Sequence, residues 1–302
     1  MTFEEFISRR SHKTANPHPV AVFDCDGTVI RGDIGEAMLY YQIDEFLFRR
    51  SPADVWTTHP RRVELDRLFD SASRVPPGER PDHPEYRRFA DEILDWYFLQ
   101  LATERIEDIA AGCADIVRLC AGFTLKEIRD IAERNLLNEL SIQPGPRPLG
   151  THRPNRGVRF LRQAREMVRT LLNEGFEVWA VSGSNRWSVE PVFRGLGVPA
   201  ERVIGIDLAV ENSLLTPIIV NPIPVHTGKV RALQKADIPR PVFVASDSPL
   251  DVPLLEYSRD AKVYMNTRYP SSEQFFAESG VSRDETWITI DHPLEEECPT
   301  HP

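Results

Sequence analysis

Residues 19–29 read PVAVFDCDGTV. The run Val20, Ala21, Val22, Phe23 follows Pro17 and Pro19 and is apolar throughout, so it suits a strand buried on both faces of a parallel sheet. It stops abruptly at Asp24-x-Asp26-Gly27, where strand-forming residues give way to turn-forming ones. Runs of the same kind recur at FEVWAV (176–181), RVIGI (202–206), PVFVAS (241–246) and AKVYM (261–265), with TWITI (286–290) as a sixth. Helical patterns separate them, such as Phe160, Ala164, Met167, Val168, Leu171 and Leu172, closed by Gly175 just past the helix end. Strands alternating with helices predict an α/β fold, a doubly wound parallel sheet of Rossmann-like type.

Residues 34–142 depart from that alternation. They carry helical spacing almost throughout, in EILDWYFLQLA and AGFTLKEIRDIAERNLL, and no strand-like run. A helical domain inserted after the first strand is therefore expected, with residues 1–33 and 150–302 forming the sheet core and 34–149 the insertion. Two Pro/Gly/Arg-rich stretches, 71–84 and 143–157, read as loops, the second as the return linker to the core.

Composition narrows the function. With 36 Lys plus Arg against 46 Asp plus Glu the formal charge is −10, which argues against a generic nucleic-acid binder, because such affinity is largely phosphate neutralisation by a basic surface. No stretch approaches the roughly 18 consecutive apolar residues of a membrane span. The start MTFEEFISRR puts acids where a signal peptide needs a basic and then an apolar region, so a cytoplasmic protein is expected, without membrane association. Cys25, Cys113, Cys120 and Cys298 include no CxxC pair and no zinc-ligand spacing.

The strand ends carry the polar residues. Asp24 and Asp26 follow the first strand, Ser182 the second, and Asp247 and Asp251 the strand PVFVAS. In an open parallel sheet the ligand crevice lies outside the carboxyl ends of the strands, so these groups converge on one crevice. Lys229, in HTGKVRAL, sits at the start of the helix leading to PVFVAS and is placed to reach it. Taken singly, each reads better as a turn residue, a helix cap or a solvated charge; order and placement give them meaning together.

With these residues in hand, the chain resembles the haloacid dehalogenase (HAD) superfamily, in its phosphatase branch. The family's first motif, D-x-D-G-T-(V/L), is matched by Asp24, Asp26, Gly27, Thr28 and Val29; the second, an apolar strand ending in Ser or Thr, by Ser182; the third by Lys229; the fourth, D-x-x-x-D after an apolar strand, by Asp247 and Asp251. The resemblance implies that Asp24 is the nucleophile, forming an aspartyl-phosphate, and that Asp26 is the acid and then the base. Crowded carboxylates need a counter-charge, and oxygen ligands with a phosphate substrate select Mg²⁺. By resemblance it is held by the Asp24 carboxylate, the Asp26 carbonyl and Asp247, with Asp251 in or just behind that set. Ser182, the Gly183 N–H and Lys229 hold the phosphate.

Within the branch the nearest likeness is to phosphoserine phosphatase-like and phosphocholine phosphatase-like enzymes. In them the inserted helical domain acts as a cap that selects the substrate. Asp33 falls where phosphoserine phosphatases carry a substrate-facing Glu, so a small phosphomonoester bearing an amine or quaternary ammonium is expected, with Asp33 equally a helix cap. Ile116 stands where that family's carboxylate-binding arginine is expected, with Arg118 two residues on, which counts against phosphoserine itself. Aromatic residues suited to a cationic substrate include Tyr40, Tyr41, Trp56 and Trp96, which read better as helical core, and Trp187, five residues after Ser182. A phosphosugar mutase, or a catalytically dead phosphate-binding module, is the alternative on the same fold; oligomeric state is not legible.

Overall fold

A computed structural model describes residues 1–11, 18–103 and 105–291. Cys298 and the acidic C-terminal tail fall outside the described residues. The chain divides into two compact units, one comprising 1–33, 158–205 and 224–302, the other 34–157 and 206–223.

The first unit is built on a six-stranded sheet: β1 (Val20–Phe23), β2 (Glu177–Asn185), β3 (Val203–Ile206), β4 (Phe243–Ser246), β5 (Ala261–Asn266) and β6 (Trp287–Asp291). Their order is β6-β5-β4-β1-β2-β3. β1 pairs in parallel with both β2 and β4, and the parallel pairing continues through β5 to β6. All six apolar runs are thus strands of one doubly wound sheet. Every residue of β1 and β4 is buried, as expected for strands covered on both faces. Val20, Val22, Val181, Leu233, Val244, Leu254, Tyr264, Phe275 and Trp287 fill one core cluster. Elsewhere Phe243 meets Phe23 and the N-terminal helix Phe3–Ser11, with ring centroids 5.4 Å from Phe6 and 5.8 Å from Phe3. The helix Arg162–Asn173 ends at Gly175, whose φ of +79° is the left-handed conformation that glycine supplies without strain. Chain exit and return lie side by side here, because Ile30–Arg31 pairs antiparallel with Arg159–Phe160.

The second unit is helical: Ile34–Glu45, Arg62–Ser73, Pro84–Leu101, Ile106–Arg118 and Leu125–Ser141 are its longer helices. Tyr40 and Trp56 are buried in it, and the Trp56 indole donates to the Asp115 carbonyl at 2.8 Å. They are packing residues.

Two boundaries differ from the sequence expectation. Residues 150–157, assigned by sequence to the core, belong to the helical unit. The reason is a buried ion cluster: Glu139, fully enclosed, accepts from Arg156 Nε and from the Gly157 backbone N–H, both at 2.6 Å, while Arg156 also reaches Asp44 at 2.9 Å. Residues 206–223, also assigned to the core, form a hairpin of Leu208–Glu211 and Leu214–Ile219. It turns through Asn212 and Ser213, both at positive φ, the conformation a two-residue hairpin turn requires. The hairpin joins the helical unit because Gly122 N–H donates to the Leu215 carbonyl at 2.7 Å and Leu215 N–H to Phe123 at 2.8 Å. Glu139→Ala leaves the buried Arg156 with Asp44 as its one carboxylate partner. It is expected to cost about 3–5 kcal/mol of stability, read as a drop in the urea midpoint; a loss under about 1 kcal/mol would show that solvent or Asp44 replaces Glu139 without penalty.

Candidate active site

The strand order reverses at β1: its neighbours are β2 on one side and β4 on the other, and the residues leaving these three strands share the switch point of the sheet. Asp24 leaves β1, its N–H still bonded to the Ala245 carbonyl of β4 at 2.9 Å. The chain then turns tightly over Cys25, whose carbonyl accepts from the N–H groups of Thr28, Val29 and Ile30. Gly27 makes that turn possible. Its φ is +73°, and a Cβ there would overlap the Asp247 carboxylate, whose Cγ and two oxygens all lie within 2.9 Å of it.

Around this turn the structure collects the residues singled out in the sequence. Lys229 Nζ lies 2.7 Å from Asp24 Oδ1 and 2.6 Å from Asp251 Oδ2, all three side chains being buried. Asp247 is buried too, and Thr28 Oγ1 donates to it at 3.2 Å. Ser182 is fully enclosed and lies inside β2, which runs on to Asn185, beyond the end expected from sequence; its Oγ is 3.3 Å from Asp26 Oδ2. Gly183 lies beside it within β2. Asp33 is the residue before the helix Ile34–Glu45 and is half-buried.

Trp187 is the correction. It is 0% exposed, in a helix, Arg186–Arg194, in which every residue from Trp187 to Phe193 is buried. At that exposure its ring presents no face to solvent.

Four further residues join the cluster that sequence reasoning did not name. Ser184 Oγ donates to Asp26 Oδ2 at 2.7 Å, and Ser246 Oγ donates to Asp251 Oδ2 at 2.6 Å. Thr267 Oγ1 donates to the Gly27 carbonyl at 3.1 Å and lies 3.4 Å from Asp247 Oδ2. Arg268 Nε is 2.5 Å from the same Asp247 oxygen, with half of its side chain exposed.

Electrostatically the site is short of positive charge in its interior. Burial pushes the Asp24 carboxyl well above the usual carboxylate range; Lys229 opposes this, and the nearby Asp251 and Asp247 add to it. Asp247 is raised by burial, against the pull of Arg268. Burial alone would lower Lys229, but Asp24 and Asp251 outweigh it and hold the ammonium charged. Burial, then Asp26 and Asp24, push the Cys25 thiol up, so it is no thiolate nucleophile.

Three buried carboxylates face one buried ammonium and the half-exposed Arg268 guanidinium, which leaves a negative charge that a cation would complete. Among the described residues no three His, Cys, Asp or Glu side chains stand together closely enough to enclose a metal by themselves. Mg²⁺ does not need such a cage, since it is commonly held by one or two carboxylates with waters and substrate phosphate filling the remaining positions. The donor set present, all oxygen, fits that ion.

Comparison with known proteins agrees with this architecture. A conserved functionally unknown protein from Anaerococcus prevotii DSM 20548 has a structure similar to this chain with a TM-score of 0.70 at 17% identity, covering 91% of this chain and 87% of that one. A protein with unknown function from Bordetella pertussis Tohama I gives a TM-score of 0.58 at 20% identity, covering 91% and 98%. At such identities the likeness is one of fold. No curated protein sequence matches. The family model for haloacid dehalogenase-like hydrolases matches residues 21–256, from the first strand to beyond Asp251, and the chain belongs to that family.

Proposed function

We propose that the protein is a Mg²⁺-dependent phosphomonoester hydrolase acting through an aspartyl-phosphate on a small phosphorylated metabolite. The observation that carries this is the pairing of the buried Asp24 with Lys229 Nζ at 2.7 Å, beside Asp247 and Asp251, with the Asp26 carboxyl under the hydroxyls of β2.

A phosphomonoester dianion repels nucleophiles, so catalysis rests on alignment and charge neutralisation. Ser182 Oγ, the Gly183 N–H and Lys229 hold the non-bridging oxygens. A free Asp24 oxygen attacks phosphorus in line with the leaving group. The bond from phosphorus to the ester oxygen breaks as Asp26 delivers its proton to that oxygen. Asp26, now a carboxylate, takes a proton from water; the water oxygen bonds to phosphorus, the Asp24–phosphorus bond breaks, and inorganic phosphate leaves. Asp24, the Asp26 carbonyl and Asp247 would hold Mg²⁺, with Asp251 behind them, and the bound ion would neutralise charge on the transferring phosphoryl group. Asp251 reaches Lys229 and Ser246 directly, which suits it to orient the lysine.

Substrate selection is assigned to the inserted helical unit and to Asp33, whose carboxylate at the entry to that unit suits an amine or quaternary ammonium. The test is phosphate release from p-nitrophenyl phosphate and a panel of metabolites in Mg²⁺, with phosphocholine-like and glycerol phosphate-like members compared in native protein and Asp33→Ala. Turnover with a KM penalty confined to the cationic members is expected. No phosphate release from any phosphomonoester would overturn the function; equal KM changes on both classes would leave the hydrolase standing and reduce Asp33 to a helix cap.

A further inference from the structure

The order of polar contacts on Asp26 is not the one that the motifs suggest. Two hydroxyls share its Oδ2. Ser182, the motif serine, is at 3.3 Å, beyond the usual range for an O–H···O bond, whereas Ser184 is at 2.7 Å, the ordinary length. The Ser184 backbone N–H meanwhile donates to Ser182 Oγ at 3.0 Å. Ser184 therefore touches both partners: its side chain engages the carboxyl, and its backbone turns the Ser182 oxygen.

Both serines are on β2, two residues apart, so their side chains stand on the same face of the strand. Asn185 follows as the cap of the next helix, accepting from Ser188 N–H at 2.8 Å, which fixes the end of the strand. The Ser184 hydroxyl is buried and held on rigid backbone. A short bond from such a group fixes the rotamer of the carboxyl it meets. Ser182 cannot do this and also serve a phosphate oxygen, because a hydroxyl has one proton to donate.

Resting on the hydrolase reading above, we infer that Ser184 is a positioning residue for Asp26. It holds the Asp26 carboxyl in the orientation for proton delivery to the departing ester oxygen and leaves the Ser182 proton for the phosphate. Ser184 acts only through the Asp26 carboxyl and has no part in binding the phosphoryl group.

The assignment makes a leaving-group prediction. The kcat/KM value reports the steps through departure of the leaving group, and only a basic alkoxide needs a well-aimed proton. Ser184→Ala should therefore lower kcat/KM for an alkyl phosphate such as glycerol phosphate by roughly ten- to a hundredfold, part of the range that general-acid catalysis supplies, and that for p-nitrophenyl phosphate by less than about threefold. Ser184→Thr keeps a hydroxyl and should restore most of the difference. Unfolding midpoints of both variants serve as the structural control. Equal losses on the two substrates, no loss on either, or failure of Thr to rescue a well-folded protein would overturn the role of Ser184 while native turnover left the hydrolase intact. Absence of turnover by native protein on every phosphomonoester of the panel, the cationic members included, would instead bring down the hydrolase reading, and the positioning role with it.

Discussion

Asp24→Asn is expected to lower kcat on a phosphomonoester by roughly four powers of ten or more and to leave the folded protein no less stable. The activity loss follows from chemistry: a carboxamide oxygen is a poor nucleophile, and the neighbouring Lys229 and Asp251 cannot substitute for it. The stability result follows from charge. Burial raises the Asp24 carboxyl despite Lys229, so its ionised form costs free energy in the fold. That cost is absent below the unfolded pKa of about 4, where the group is neutral in both states, and grows as pH rises above it. Lys229 keeps its 2.6 Å contact to Asp251 in the variant. Melting curves in EDTA should therefore show Asp24→Asn matching native protein near pH 3.5 and equalling or exceeding it at pH 7. Near-native kcat, with deamidation excluded by mass spectrometry, would remove Asp24 from the mechanism. A much lower melting point at pH 7 would mean that the lysine pair outweighs the burial cost.

The sheet was legible because burial on both faces leaves a plain signature: six apolar runs became six strands, down to the weak TWITI at the edge. Asp24 and Asp247 were legible by one rule, polar groups directly after the strand ends; the rule also picked out Ser182, although β2 does not end there but continues to Asn185. The same rule applied to β5 reaches Thr267 and Arg268, which follow Asn266 and meet Asp247; no other signal in the sequence marks them. Ser184 and Ser246 were hidden for a different reason. Each looks like part of a strand or the start of a cap, and only three-dimensional distance shows that their hydroxyls serve Asp26 and Asp251. The aromatic residue Trp187 misled because its nearness in sequence to Ser182 says nothing of helix orientation, and a helix buried on nearly all sides has no ligand-facing side to give. Likewise the linker and hairpin changed unit through pairings distant in sequence, Glu139 with Arg156 and Phe123 with Leu215, that local patterning does not encode.

Gly27→Ala is expected to abolish turnover by loss of the cation site, although the substitution adds a single methyl group. Native protein should lose activity in EDTA and regain it with Mg²⁺, since Asp24 and Asp247 are buried carboxylates whose ionised forms need compensation. At position 27 the new Cβ falls on the Asp247 carboxylate and must also adopt a φ of +73°, which an L-residue with a side chain resists. Asp247 has little room to move, being buried and held by Thr28 and Arg268. The variant should therefore bind Mg²⁺ much more weakly by calorimetry and show kcat/KM lower by roughly a thousandfold or more, the scale of an essential group lost, with no recovery at high Mg²⁺. Gly183→Ala is the contrasting case. Its nearest atom from across the fold would be Val225 Cγ2 at 3.4 Å, an ordinary contact, so the fold and Mg²⁺ affinity should survive and any loss should appear as weaker phosphate binding. If Gly27→Ala bound Mg²⁺ as native protein does, Asp247 would not be a ligand, because the one group that the methyl must displace is its carboxylate.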